Sequence, residues 1–253
     1  MVDLSRRIDE PELLDLGVSD AEASASLADL RFVNRWLGNR GRFLKNLRPY
    51  LAMQPRDEPG AAASGASRRS AASPPNPQVP ARPPTLLDVG CGSGDVPAFV
   101  VRGIGRPVLA VGLDAKELHL RALPPEVKPV LGDVRALPFP PRSFDVVTAS
   151  LFLHHFGDAE LPDVLRGLWA LCRRALVVND LRRARVPYLF GQATFRLLFR
   201  THVSVEDGLL SIRRAFTPGE LAGAFAAAGI PARVHREFPY RLVAVAEREP
   251  PLA

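Results

Sequence analysis

Residues 86–95 read LLDVGCGSGD. Two leucines run into Asp88, and Gly90, Gly92 and Gly94 then fall at every second position. The apolar run reads as a short buried strand. The glycines after it mark a sharp turn where a ligand can approach the backbone, because glycine has no Cβ. Their spacing is not the G-x-G-x-x-G fingerprint that sets a pyrophosphate at a helix N-terminus. Asp88 lies inside the stretch and Asp95 ends it. Carboxylates there repel a pyrophosphate and suit a ligand with a cationic amine and no phosphate.

Two further strand ends carry acids. VGLD ends at Asp114, roughly 20 residues past the turn, where a carboxylate accepts hydrogen bonds from ribose hydroxyls. LGDV places Asp133 and Val134 at the next strand end, where an acid suits an adenine amino group. Ligands of open α/β sheets bind at the carboxyl ends of the strands. Amine-, ribose- and adenine-compatible acids on three successive strands imply an adenosine that bears an amino acid, S-adenosylmethionine.

The surrounding pattern alternates. Strands are expected at TLLDVG, PVLAVGLD, KPVLGD, SFDVVTASL, RALVVND, ARVHREF and RLVAVAER. Helices are expected at DVPAFVVRGI, AKELHLRAL, AELPDVLRGLWALCR and TPGELAGAFAAAG, the last capped by Thr217 with Pro218 next and Gly229 as its stop. This is an α/β class chain, with a Rossmann-like, doubly wound, mostly parallel seven-stranded sheet and an antiparallel edge.

Three further regions frame that core. Residues 1–54 read as an N-terminal helical cap, with Leu27, Leu30, Val33 and Trp36 at helical spacing and breaks at Gly38 and Gly41. Residues 55–84 are Pro/Ala/Ser-rich with almost nothing to bury and read as a disordered linker. Within the domain at 85–253, residues 181–215 are too long for an ordinary connection and read as a lid insertion.

Composition narrows less. The chain has 253 residues and a net charge of +6. That permits anionic partners without choosing one, and arginine-rich composition is also common genomic bias. Cys91 and Cys172 form no metal-type pair, and no metal site is expected. The N-terminus lacks a signal-peptide core, and no run is long and apolar enough to span a bilayer, so a cytoplasmic protein is the expectation.

LLDVGCGSGD, VGLDAK, LGDVRALPFPPRSFDVVTASLFLHHF and ALVVND, in that order, resemble class I SAM-dependent methyltransferases. The resemblance is closest to the small-molecule branch that serves quinone and natural-product biosynthesis. It implies S-adenosyl-L-methionine as cofactor. It implies contacts from Asp88, Gly90, Cys91, Gly92, Gly94, Asp114, Ala115, Asp133, Val134 and Ser150, with no chemistry assigned to Cys91. N-terminal helices often close over the cofactor in such enzymes, which makes Phe32, Arg35 and Trp36 candidates for that cover.

Methyl transfer is an in-line displacement at a sulfonium carbon, so the protein mainly aligns the reactants and excludes water. A phenolic acceptor, with pKa about 10, also gains from a nearby base. His154 and His155 follow the fourth strand and are the first candidates, as base or substrate anchor. His202 and Tyr188 in the insertion are further candidates, whereas His119 and His235 look structural. The insertion mixes arginines with Phe190, Phe195 and Phe199, which suits an apolar lid over a small aromatic or acyl acceptor. A membrane-surface helix through 181–203 that delivers lipid-soluble substrate is a second reading. The acceptor expected is a hydroxyl or an activated ring carbon of a small apolar aromatic, quinone-related or polyketide-like molecule. No nucleic-acid partner is expected. The competing classes are an RNA or protein methyltransferase and a non-methylating SAM binder.

Overall fold

A computed structural model describes residues 2–36, 39–52 and 82–248. The linker expected at 55–84 lies outside the described residues except for its last three positions, and so does Gly38. The N-terminal part holds α1 (Leu13–Leu16), α2 (Asp20–Trp36) and α3 (Asn39–Ala52). The alternating core follows as β1 (Thr85–Val89), α4 (Asp95–Ile104), β2 (Leu109–Asp114), α5 (Glu117–Leu120), β3 (Val127–Leu131), β4 (Phe144–Ser150), α6 (Leu161–Leu171) and β5 (Cys172–Leu181). The chain then forms α7 (Arg185–Leu198), α8 (His202–Arg214), α9 (Pro218–Ala227), β6 (Ala232–Glu237) and β7 (Arg241–Glu247).

The seven strands form one sheet in the order β3-β2-β1-β4-β5-β7-β6. Strands β1 to β5 are parallel, and β7 runs antiparallel to both β5 and β6. The anticipated antiparallel edge is thus the β6–β7 hairpin, with β6 outermost. The strand order reverses between β1 and β4, which opens a crevice at their carboxyl ends. That crevice holds the residues after Val89 and after Ser150.

Both faces of the central strands are covered, which is why they read as continuous apolar runs. Side chains alternate between faces with period two. Leu86, Val146, Ala175 and Val177 pack with Phe43, Leu47 and Tyr50 of α3 and Val96 and Val100 of α4. Leu87, Val147, Leu176 and Val178 pack with Leu165 and Leu168 of α6 and Leu221 and Phe225 of α9. The start of α9 is as the sequence implies. Thr217 and Glu220 form a reciprocal capping box, and Gly229 sits beyond the end at φ 72°.

Two local expectations change. Gly41 does not break the helix but lies within α3, where an added Cβ would meet nothing within 4 Å. An exposed helical glycine costs about 1 kcal/mol. Burial of Phe43, Leu47, Tyr50 and Leu51 on the sheet outweighs that cost. The helix expected over 115–123 shortens to α5, because Pro124 disfavours the helical conformation in the residue before it.

Candidate functional site

A cavity of about 800 Å³ lies at the carboxyl ends of the strands, over the crevice between β1 and β4. Gly90, Gly92, Asp114, Ala115, Asp133 and Val134 line one side of it. Gly90 has φ 65°, and an added Cβ would lie 2.1 Å from the Phe152 ring, so the turn tolerates no side chain there. Gly92 has φ 53°, and an added Cβ would meet only Leu27, at 3.8 Å. Its backbone is therefore open to the cavity. The turn is tied to β2, with Gly90 N–H donating to the Leu113 carbonyl at 2.9 Å. The Asp114 carboxylate accepts from the N–H groups of Gly92 and Lys116, both at 2.9 Å, and His119 Nδ1 lies 3.1 Å from it. Asp133 accepts from Arg135 N–H at 2.9 Å and so fixes the turn that presents Val134.

The opposite wall is charged and largely buried. After β4, Leu151 adopts φ 55°, a strained value for a residue with a side chain, and the chain then makes a single helical turn at Leu153–His155. The His154 ring places Nδ1 2.6 Å from Asp180 at the end of β5 and Nε2 3.6 Å from Glu12. Burial alone would lower the His154 pKa; Asp180 and Glu12 outweigh it and push it up to about 9. His155 stacks beside it with ring centroids 4.5 Å apart. Its Nδ1 lies 3.0 Å from Asp15 and its Nε2 3.8 Å from Glu12. Burial would raise the Asp15 pKa, but its bonds with His155 and Lys116 hold it well below the usual carboxylate range.

The N-terminal segment builds this wall. Arg7 donates to the carbonyls of His154 and Phe156, at 3.3 and 2.9 Å, and pairs with Asp158. Arg214 of α8 donates to the His154 carbonyl at 3.0 Å and also to Glu10. Asp207 accepts from the N–H groups of Leu13 and Leu14 at 2.7 and 3.0 Å. The buried guanidinium of Arg183 holds the carbonyl of Leu4 at 3.0 Å and pairs with Glu220. Residues 4–15 therefore form a strap clamped to the segment after β5, to α8 and to the turn after β4, and its end lines the cavity. Leu27, Leu30 and Val33 of α2 and Pro187, Phe190 and Phe195 of α7 add apolar walls.

A glycine turn, ribose- and adenine-compatible acids on the next two strands and the 3-2-1-4-5-7-6 order all meet in this cavity. A family model described as "Methyltransferase domain" matches residues 86–175. Residues 86–175 are thus similar to a methyltransferase domain. The chain is 32% identical over 93 residues to 2-phytyl-1,4-naphtoquinone methyltransferase of Thermosynechococcus vestitus, covering 34% of this chain and 40% of that protein. It is 41% identical over 87 residues to nocamycin O-methyltransferase of Saccharothrix syringae, covering 31% of this chain and 30% of that protein. The matches thus span less than half of either relative. Among solved structures, the plantazolicin methyltransferases BpumL and BamL, each in complex with a desmethylPZN analogue and SAH, share the fold with TM-scores of 0.54 at 13% identity. They cover 65% and 66% of this chain, and the matches cover 75% and 77% of theirs.

The cavity has the features that S-adenosyl-L-methionine requires. The bare face of Gly92 makes room for the methionine part, and Asp114 keeps lone pairs for ribose hydroxyls beyond its two backbone bonds. Leu113, Ala115 and Val134 supply an apolar slot next to Asp133.

Several residues singled out from the sequence stand elsewhere. Asp88 is buried below the turn and accepts from Thr148 Oγ1 at 2.7 Å rather than lining the cavity. Burial, eased by the Thr148 bond and reinforced by the charges of Asp95 and Asp114, pushes its pKa up to about 7. Asp95 accepts from Asn34 Nδ2 at 3.3 Å, so it ties α4 to α2. Cys91 packs against Gly112, and burial pushes its thiol pKa up, away from reactivity. Gly94 faces Leu123 and Pro124, and Ser150 accepts from Asn179 Nδ2 at 3.2 Å. None of these lines the cavity.

His202 is not at the site. Its side chain is 78% exposed and lies 3.6 Å from Glu206, one turn along α8. Tyr188 is buried in the packing of α7, outside the cavity lining. Phe32, Arg35 and Trp36 face solvent, whereas Ser26, Leu30 and Val33 of the same helix line the cavity. His235 is exposed on β6, whereas His119 lines the cavity beside Asp114.

Sequence reading missed Glu12, Asp15, Asp180, Asp207, Arg7 and Arg214. Only Asp180 carried a local signal, as the acid that ends the strand ALVVND. Glu12, Asp15 and Arg7 lie some 140 to 150 positions before His154, and Asp207 and Arg214 some 50 to 60 after it.

Proposed function

We propose that this chain transfers the methyl group of S-adenosyl-L-methionine to a hydroxyl of a small, largely apolar aromatic, quinone-related or polyketide-like acceptor. One observation carries the reading. A single cavity has the cofactor-fitting glycine turn on one side and the Glu12–His154–His155 cluster on the other, under apolar walls. Its volume of about 800 Å³ is at the upper end for small-molecule pockets. That leaves room for a nucleoside cofactor and a compact second ligand.

The acceptor hydroxyl is received at the cluster, which orients it, and its proton passes to the Glu12–His155 pair. The acceptor oxygen then bonds to the methyl carbon as the carbon–sulfur bond breaks, with the electron pair staying on sulfur. Clamping of the His154 and His155 carbonyls by Arg7 and Arg214 keeps the cluster in position without reorganisation. The strap and α7 exclude water. An acid–base cluster at the acceptor end favours oxygen over ring carbon, and the enclosing strap disfavours RNA and protein acceptors.

The α7 helix also turns apolar residues outward. Leu189, Phe190 and Leu197 are exposed, and so are Arg185, Arg196 and Arg200. Phe190 and Val186 also rim the cavity. This face suits an anionic lipid surface from which an apolar acceptor enters. No described helix is long and apolar enough to cross a membrane.

The test is a labelled-methyl assay against a panel of phenols, hydroquinones and hydroxylated polyketides, with cofactor binding measured by calorimetry. Transfer to oxygen of at least one compact acceptor is expected. Tight cofactor binding with no transfer to any of them would instead mark a SAM binder.

A further inference from the structure

We propose that Glu12, His154 and His155 form a binding site for one divalent first-row metal ion, open toward the cavity. One ligating atom from each of the three lies within 4.8 Å of the other two. The Glu12 carboxylate stands 3.6 Å from His154 Nε2 and 3.8 Å from His155 Nε2. Neither separation is a hydrogen bond. A groups-only explanation, two histidines paired to one glutamate, would close at least one of these gaps. Zinc-type ions bind such atoms at about 2.0–2.2 Å, which sets tetrahedral donors about 3.3 Å apart. The observed spacing needs only a small inward shift.

The outer contacts are those of metal-binding histidines. A ligating imidazole usually gives its other nitrogen to a carboxylate, which fixes the tautomer and aims the free nitrogen at the ion. Both rings obey this. His154 Nδ1 is 2.6 Å from Asp180, and His155 Nδ1 is 3.0 Å from Asp15. The third donor is held as well, because Ser211 Oγ donates to Glu12 Oε1 at 2.6 Å. The carbonyls of both histidines are clamped by Arg214. Glu12, Asp15 and Asp180 supply negative charge beside the donors, with Asp15 shared with Lys116.

Two imidazoles and one carboxylate select zinc, iron(II), cobalt or nickel over magnesium and calcium, which prefer all-oxygen sites. Three protein donors with the remaining positions facing a cavity is the arrangement of a catalytic rather than a structural site. As a role, which rests on the proposed methyl transfer, the ion would receive the acceptor's oxygen and make its hydroxyl more acidic. Binding itself does not depend on that role.

The experiment strips the full-length protein with a chelator and titrates it with Co²⁺ and with Zn²⁺, followed by visible absorption and calorimetry. One equivalent is expected to bind, with a ligand-field spectrum for cobalt. His155→Asn and Glu12→Gln should each weaken binding by about 10-fold or more. S-adenosylmethionine affinity of the same stripped samples reports that each variant is folded, and it tests the methyltransferase reading separately. No stoichiometric uptake by the native protein overturns the metal site. Uptake that neither variant weakens also overturns it.

Discussion

The two walls of the cavity are built in opposite ways. The wall proposed to hold the cofactor, the cofactor wall, comes from residues 90–134, with backbone groups, glycines and one acid per strand end. The wall proposed to receive the acceptor, the acceptor wall, brings together Glu12 and Asp15, His154 and His155, Asp180, and Asp207 and Arg214, from nearly the whole length of the chain. The first depends on steric room and backbone direction. The second depends on buried charge pairs that exist only when the strap, β5 and α8 are in place. A wall of local turns is set by residue type, and a wall of distant ion pairs is set by assembly.

Mutations should separate the two. The largest expected effect is on the acceptor wall. Asp180→Ala leaves the buried His154 without its nearest partner, and removing one member of a buried pair costs about 3–5 kcal/mol. Urea unfolding at neutral pH measures it, and a loss under 1 kcal/mol would mean the pair is not structural. On the cofactor wall, Gly90→Ala forces a Cβ onto Phe152 and a side chain onto a left-handed backbone. Strain and overpacking together amount to about 2–4 kcal/mol. It should appear as lost cofactor affinity with the acceptor wall's ion pairs intact.

A smaller effect is expected for Asp114→Ala. It removes the acceptor of the Gly92 and Lys116 N–H bonds and of the proposed ribose bonds. Charged hydrogen bonds contribute about 1.5–3 kcal/mol, so calorimetry should show cofactor affinity falling roughly 10- to 100-fold. Unchanged affinity would remove Asp114 from the cofactor wall.

Asp88 gives a pH signature beneath the same wall. Its folded pKa is raised to about 7, above the unfolded value of about 3.9. The folded state therefore holds the proton more tightly. The stability this proton supports is full below about pH 4 and is lost as pH rises through the folded pKa near 7, by at most about 1.4 kcal/mol per pH unit. In Asp88→Asn that slope should flatten, as read from denaturation curves across the window. The smallest effect on folding is expected at Leu197, which is 86% exposed. Leu197→Ser should change stability by less than about 0.5 kcal/mol. It should nonetheless weaken co-sedimentation with anionic vesicles, and unaltered sedimentation would argue against a lipid-facing α7.

The cofactor wall was legible because each of its parts is a local pattern. Gly90, Asp114 and Asp133 sit at strand ends that hydrophobic runs mark out, and α9 carries its own cap. Reading failed where orientation mattered. Phe32 and Trp36 share a helix with Leu30 and Val33, but only the packing of that helix on α3, α5 and α8 decides which pair lines the cavity. His202 was legible as a histidine near the site in sequence, but the α7–α8 hairpin turns it into solvent. Asp88 and Asp95 were legible as acids at a ligand turn, and packing turned both to protein partners.

The sequence by itself determined the alternating strands and helices, the turn at 90–94 and the acids that suit an adenosine cofactor. These follow from periodicity, glycine's missing Cβ and charge, which act over a few residues. Only the tertiary structure decided what stands across the cavity from the glycine turn. An extended strap with no pattern of its own brings Glu12 against two histidines some 140 positions away. No local rule encodes that meeting, because the free energy that holds it comes from Arg7, Arg183, Arg214 and Asp207 closing on backbone groups from the other end of the chain.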